Sequence, residues 1–114
     1  MKIMIVDDNK QVREMIKSLL TQPEIEFCEC SDGSQVEGMY RTHRPDWVLM
    51  DVMMTEIDGI TATRRLKRSH PEAKILIVTQ YDDSTMREEA RLAGADGYIA
   101  KDNLQEIAWT IGSS

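Results

Sequence analysis

The 114-residue chain has no apolar run long enough to cross a bilayer, which excludes a transmembrane helix. Its start, Met1 to Val6, is too short for a signal peptide and leads straight into acids, so a cytoplasmic location is expected. Cysteine is scarce. Cys28 and Cys30 are the only two, which excludes a disulfide scaffold, and the chain is long enough to build a core without one. Two apart on a strand, their thiols face the same side. No second cysteine pair or nearby histidine completes a zinc set, so they read as small apolar strand residues rather than a redox pair or metal site. Positive charge is in deficit, with 14 Lys and Arg against 20 Asp and Glu and a net charge of −6. That argues against direct contact with nucleic acid, which needs a basic face. Repeats, low-complexity tracts and internal linkers are also missing, so one domain over residues 1–114 is expected.

What the chain does have is four short apolar runs, each ending on a reactive polar residue. Ile3-Met4-Ile5-Val6 ends on Asp7-Asp8, and Trp47-Val48-Leu49-Met50 on Asp51. Ile75-Leu76-Ile77-Val78 ends on Thr79, and Tyr98-Ile99-Ala100 on Lys101. Such runs, bounded by turn residues, read as strands buried on both faces of a parallel sheet. Ligands of open α/β sheets bind beyond the carboxyl ends of the strands. Three carboxylates, a hydroxyl and an ammonium therefore converge on one sheet edge, a set suited to a cation and a phosphoryl group.

Helical periods separate the strands, giving five of each. Val12, Met15, Ile16, Leu19 and Leu20 form one apolar face, closed by Pro23. A second strand runs from Ile25 to Cys30. Ser34 and Glu37 read as a capping box opening a helix that ends before Pro45. Strand three is Asp46 to Met50, and a helix follows from about Gly59 to Ser69. Strand four is Lys74 to Val78. The fourth helix, about Ser84 to Leu92, carries few apolar residues besides Met86 and Ala90, and should be loosely held. Gly94 suits its left-handed end. Gly97 to Ala100 is the last strand. A final helix opens at Asn103, with Glu106 completing a box and Leu104, Ile107, Ala108 and Ile111 on one face.

Taken singly, these site residues are ordinary. Asp7-Asp8 alone could be an N-cap acid and a surface acid. Thr79 alone reads as a β-branched strand residue, and Lys101 as a solvated lysine. Together they gain weight. Hard divalent cations prefer carboxylate oxygens, a bound cation relieves repulsion among three acids, and a carboxylate can attack phosphorus.

On these residues the chain resembles the receiver domains of bacterial two-component response regulators. The matching segments are Ile5-Val6-Asp7-Asp8-Asn9, Val48 to Met54 with Asp58-Gly59, Ile77-Val78-Thr79, and Gly94 to Lys101. The resemblance implies a flavodoxin-like (βα)5 three-layer fold with sheet order 2-1-3-4-5. It implies Asp51 as phosphoacceptor, taking its phosphoryl group from a sensor histidine kinase or phosphotransfer protein, with acetyl phosphate as a small donor. Mg2+, or Mn2+, would be held by Asp8, Asp51 and the Met53 carbonyl, with Asp7 acting through water. Thr79 and Lys101 would clamp the phosphoryl oxygens, and transfer would be self-catalysed, as would autodephosphorylation. Thr79 and Tyr98 would form the switch, changing the surface of the fourth helix, fifth strand and fifth helix. Phosphorylation-dependent homodimerisation is a further implication. For Tyr98 the plainer reading is a half-buried aromatic with a wet hydroxyl.

Three residues depart from the family pattern. Thr55 stands where a proline is usual, leaving the loop after Asp51 without a fixed φ. Gln80 stands where a small residue is usual and should crowd the phosphoryl group. Asp102 replaces the usual proline after Lys101, where a cis bond would cost about 3–4 kcal/mol, so either a trans bond with altered loop geometry or a strained cis bond is expected. Lys101-Asp102 resembles the receivers of nitrate-response-type transcription factors, which favours a receiver from a longer DNA-binding regulator over a stand-alone one. Two rivals fit less well. A dehalogenase-like phosphatase needs an acid at Met53, and a flavin-binding module would find its phosphate repelled by Asp7-Asp8. A degenerate receiver serving only as a docking module remains an alternative. Trp47, on the strand ending at Asp51, is expected to report ligand binding, and Trp109 the last helix.

Overall fold

Three of the apolar runs, Ile3 to Val6, Trp47 to Met50 and Ile75 to Val78, become strands because each buries both of its faces, and the fourth, Tyr98 to Ala100, does so except at half-buried Tyr98. In the computed structural model, which describes residues 1–112, β1 (Lys2–Val6), β2 (Glu26–Cys30), β3 (Trp47–Met50), β4 (Ile75–Thr79) and β5 (Gly97–Ala100) form one sheet. All pairings are parallel and the order is β2-β1-β3-β4-β5, the flavodoxin-like arrangement expected. Val6 lies opposite both Cys30 and Met50, and Thr79 opposite Ala100. The chain therefore leaves β1, β3, β4 and β5 along one edge. The strand order reverses between β1 and β3, the place where such sheets open a crevice.

Alternate strand residues face opposite ways. Met4, Val6, Val48, Met50, Ile75 and Ile77 pack with Val36, Tyr40, Leu66 and Ala90. Ile3, Ile5, Leu49, Leu76 and Val78 pack with Ile16, Leu20, Ile107 and Ile111. The helices α2 (Val36–His43), α3 (Gly59–Ser69) and α4 (Ser84–Ala93) thus cover one face, and α1 (Lys10–Leu19) and α5 (Glu106–Gly112) cover the other. Three helices start on a capping side chain. Asn9 accepts from the Gln11 and Val12 amides, Asp58 from Thr61, and Asp83 from Met86. Gly94 ends α4 at φ 104°, left-handed as expected.

Several local expectations are corrected. Ser34 caps nothing. Asp32 accepts from the Ser34 amide and opens a 3-10 turn, Gly33–Gln35, after which α2 begins without a side-chain cap. The last α-helix starts at Glu106 rather than Asn103, because the chain leaves Lys101 through a tight 3-10 turn, Lys101–Asn103. Ala108 is exposed, while Leu104, Ile107 and Ile111 are buried. Met15 and Leu19 are 52% and 46% exposed. Ile16 and Leu20, one residue further round, stack on the sheet and leave them on the flank. The buried side of α4 is Ala90 and Ala93 with Met86 partly covered, so this helix contributes little apolar area. Cys28 and Cys30 do share one core, and both are free thiols. Cys30 donates to the Met4 sulfur at 3.7 Å, and burial pushes its thiol up to about 12, which keeps it protonated and unreactive.

One buried polar atom stands out. Thr63 on α3 is wholly buried, and its hydroxyl is the only side-chain N or O atom among the described residues that is enclosed without a hydrogen-bond partner. A buried, unpaired hydroxyl is unfavourable. Thr63→Val, which keeps the shape and removes the hydroxyl, is expected to raise stability by about 1 kcal/mol in urea unfolding. A destabilised variant would show that the hydroxyl is satisfied.

Candidate functional site

Asp7 and Asp51 lie just past the strands, at amides that extend the sheet ladder. The Asp7 amide donates to Cys30 O at 3.0 Å and the Asp51 amide to Val6 O at 2.9 Å. This pairing carries both carboxyls to the β1–β3 crevice. Asp8 follows on the turn into α1. Asp7 and Asp51 are only 2% and 5% exposed, whereas Asp8 is open to solvent. Carboxylate oxygens from the three acids lie within 4.8 Å of one another. One cation faces them. Lys101 Nζ is 2.9 Å from Asp7 Oδ2 and 3.5 Å from Asp51 Oδ2. Neighbouring amides also fix these carboxylates, with Asn9 N–H donating to Asp7 Oδ1 and Val52 N–H to Asp51 Oδ1, both at 2.9 Å.

Three carboxylates against one ammonium leave surplus negative charge in a partly desolvated place. Burial, then the neighbouring Asp7 charge, push the Asp51 carboxyl up to about 6, against the pull of Lys101 and the Val52 amide. Asp7, Asp8, Asn9, Asp51, Met53, Gln80, Tyr81 and Lys101 line an open cavity of about 230 Å³. An all-oxygen donor set with unneutralised charge and room for water fits Mg2+.

The loop between Asp51 and α3 is not left loose by Thr55. The Asp32 carboxylate, which opens the 3-10 turn after β2, also accepts from the Glu56 amide at 2.9 Å and the Ile57 amide at 3.3 Å. Burial works against ionisation of Asp32, but these backbone donors and Ser34 override it and hold its carboxyl at about 2. Gly59 closes the loop by donating to Val52 O at 2.7 Å.

A match to the family model described as "Response regulator receiver domain" spans residues 3–111. The chain belongs to the response regulator receiver domain family. It is 38% identical over 101 residues to the chemotaxis protein CheY of Bacillus subtilis (strain 168), covering 88% of this chain and 84% of that protein. It is 33% identical over 103 residues to the transcriptional regulatory protein DegU of Brevibacillus brevis, covering 89% of this chain but 44% of that protein. A crystal structure of a LuxR-family two-component response regulator from Aurantimonas sp. SI85-9A1 superposes with a TM-score of 0.92 at 34% identity, covering 98% of this chain and 82% of that one.

Within this receiver, Asp7, Asp8, Asp51 and Lys101 come together, and Met53 lines the same cavity. Thr79 is at the end of β4 but wholly buried and outside the cavity lining. Its hydroxyl accepts from the Tyr81 amide at 3.3 Å. Tyr98 donates its hydroxyl to the Tyr81 carbonyl, and the Arg87 guanidinium, ion-paired to Asp82, stands 4.6 Å from its ring centroid. Tyr81 therefore touches both switch candidates, a bridge that sequence spacing did not expose. The Lys101-Asp102 bond is trans, since no cis peptide occurs among the described residues. Gln80 is exposed and sits on the cavity rim. Trp47 lies on β3 as expected, buried at the end of the strand away from Asp51, four residues or roughly 13 Å along the chain. No described helix is long and apolar enough to cross a membrane.

Proposed function

We propose that this receiver is a phosphorylation-activated switch in which Asp51 accepts a phosphoryl group from a sensor kinase or phosphotransfer-protein phosphohistidine. The single observation that carries this reading is the buried Asp51 carboxylate set beside Asp7 and Lys101 in an open, acid-lined cavity. A carboxylate oxygen of Asp51 attacks phosphorus while the phosphorus–nitrogen bond of the donor breaks. The bonding pair stays on the imidazole, which takes up a proton, and an acyl phosphate remains on Asp51. Lys101, which already pairs with these acids, would neutralise a phosphoryl oxygen. Asp7, Asp8 and Asp51, with the Met53 backbone, would hold Mg2+, or Mn2+. The ion supplies positive charge that screens the acids from each other and from the incoming phosphoryl group.

Thr79 shifting toward the new phosphoryl group would release the Tyr81 amide. Tyr81 also holds Tyr98, so the change reaches β5 and the α4 surface. The receiver acts as one unit over residues 1–114, in the cytoplasm, without touching nucleic acid itself. Its output is transcription through a DNA-binding domain, a reading favoured by the resemblance to LuxR-family regulators, and it dimerises on phosphorylation. A docking receiver that does not phosphorylate is disfavoured by the complete set of acids and lysine.

Intact mass after acetyl phosphate treatment with Mg2+ tests this. Wild type is expected to gain one phosphoryl group and Asp51→Asn none, with EDTA abolishing the gain. A gain in the Asn variant would remove Asp51 from the role. Gln80→Ala, which clears the rim, is expected to speed phosphoryl turnover several-fold, and unchanged dephosphorylation kinetics would count against crowding by Gln80.

A further inference from the structure

Asp7, the deepest of the three acids, has its backbone carbonyl at the point where the chain leaves the sheet. Arg13, three residues into α1, supplies a donor to it. Arg13 Nη1 donates to the Asp7 carbonyl at 2.6 Å, and Nε of the same guanidinium donates to Glu29 Oε1 on β2 at 2.8 Å. Lys17, one turn on, grips the other Glu29 oxygen at 2.9 Å. The Arg13 side chain is only 15% exposed, so this is a partly enclosed, charge-assisted bridge rather than a mobile surface pair. A peptide group is planar. Fixing the Asp7 carbonyl fixes the plane that leads into Asp8, and with it the direction in which the exposed Asp8 carboxylate leaves the turn. Asn9 N–H separately secures the Asp7 carboxylate.

We propose that Arg13 is a positioning residue for the cation site. It clamps the Asp7–Asp8 peptide against β2 so that both carboxylates face Asp51. This role has meaning only if a divalent cation binds among the three acids, the reading proposed for the site. Two physical accounts of Arg13 predict opposite signs. If its charge alone mattered, deleting a cation near three carboxylates would tighten Mg2+ binding. If it orients the ligands, deletion loosens binding, and outer contacts of this kind are worth about 10- to 100-fold in metal affinity.

The experiment compares wild type, Arg13→Gln, Arg13→Lys and Lys17→Gln by calorimetric Mg2+ titration, with amide hydrogen exchange on the metal-free proteins. Lys17→Gln removes a Glu29 partner without touching Asp7, and so controls for loss of the α1–β2 ion pair. Arg13→Gln is expected to weaken Mg2+ binding about tenfold and to speed exchange at the Asn9 amide. Lys17→Gln should leave both near wild type. Arg13→Lys, able to reach one partner but not both, should fall between. Unchanged or tighter binding in Arg13→Gln, or an equal loss in Lys17→Gln, overturns the positioning role while the functional reading stands. Wild type that binds no Mg2+ overturns both.

Discussion

Replacing the phosphoacceptor candidate is expected to stabilise the metal-free protein. Asp51 is 5% exposed, and its carboxyl is pushed up to about 6 by burial and by Asp7, whereas in the unfolded chain it titrates near the ordinary aspartate value. Between about pH 4 and pH 6 the folded state therefore binds more protons at this group than the unfolded state. Stability contributed by Asp51 falls as pH rises through that window, and the cost is complete above it. A shift of about two units corresponds to roughly 2–3 kcal/mol at neutral pH. Asp51→Asn keeps the shape and removes the charge, and Lys101 retains its closer partner, Asp7, at 2.9 Å. In EDTA at pH 7 the variant should unfold at higher urea and melt roughly 10 °C higher. The difference should vanish toward pH 4, where the wild-type carboxyl is already protonated. Mg2+ should narrow the gap from the other side by raising wild type. Comparing the two proteins at each pH cancels the titration of groups remote from Asp51. A difference that ignores pH, or a variant less stable in EDTA, would mean that the acids are not crowded as described.

This crowding was legible in the sequence because strands end where apolar runs end. A parallel sheet then has no choice but to present Asp7-Asp8, Asp51, Thr79 and Lys101 along one edge, whereas the strand order came from the family resemblance, since alternating periods alone do not fix it. What the pattern missed depends on contacts distant in sequence. Asp32 opens the turn before α2 and also pins Glu56 and Ile57, partners 24 and 25 residues away, so local capping rules chose Ser34 and read the Thr55 loop as loose. The Tyr81 carbonyl that receives the Tyr98 hydroxyl is likewise invisible to spacing rules. Periodicity overestimated the apolar faces of α1 and α5, since it cannot say which of two adjacent rows, Met15 and Leu19 or Ile16 and Leu20, meets the sheet. Thr79 was placed at the correct strand end, but burial keeps its hydroxyl out of the cavity lining, and burial depth is a property of packing.

Gly59 gives the sharpest separation between local and tertiary reasoning. It opens α3, where helix propensity alone predicts that alanine is better by about 1 kcal/mol. The structure predicts the opposite. A Cβ at Gly59 would overlap the Asp51 carbonyl oxygen, standing 2.8 Å from the Asp51 carbonyl carbon and 3.0 Å from Met50 Cγ. Two of these three neighbours are backbone, held by the ladder bond from Asp51 N–H to Val6 O, so relief requires moving either α3 or the end of β3. Gly59→Ala is expected to cost about 3 kcal/mol or more in urea unfolding. It should also weaken Mg2+ binding, because the backbone displaced is that of the candidate acceptor. Gly38, the third residue of α2, has nothing within 4 Å of an added Cβ. There Ala should stabilise by about 0.5–1 kcal/mol, through helix propensity and a less flexible unfolded chain, and leave Mg2+ affinity unchanged. Opposite signs from one chemical change at two helix glycines would show that α3 is packed directly on the acceptor strand. Equal stabilisation at both positions would show that the close approach of Gly59 to Asp51 is not maintained in solution, and with it that α3 does not hold the acceptor in place.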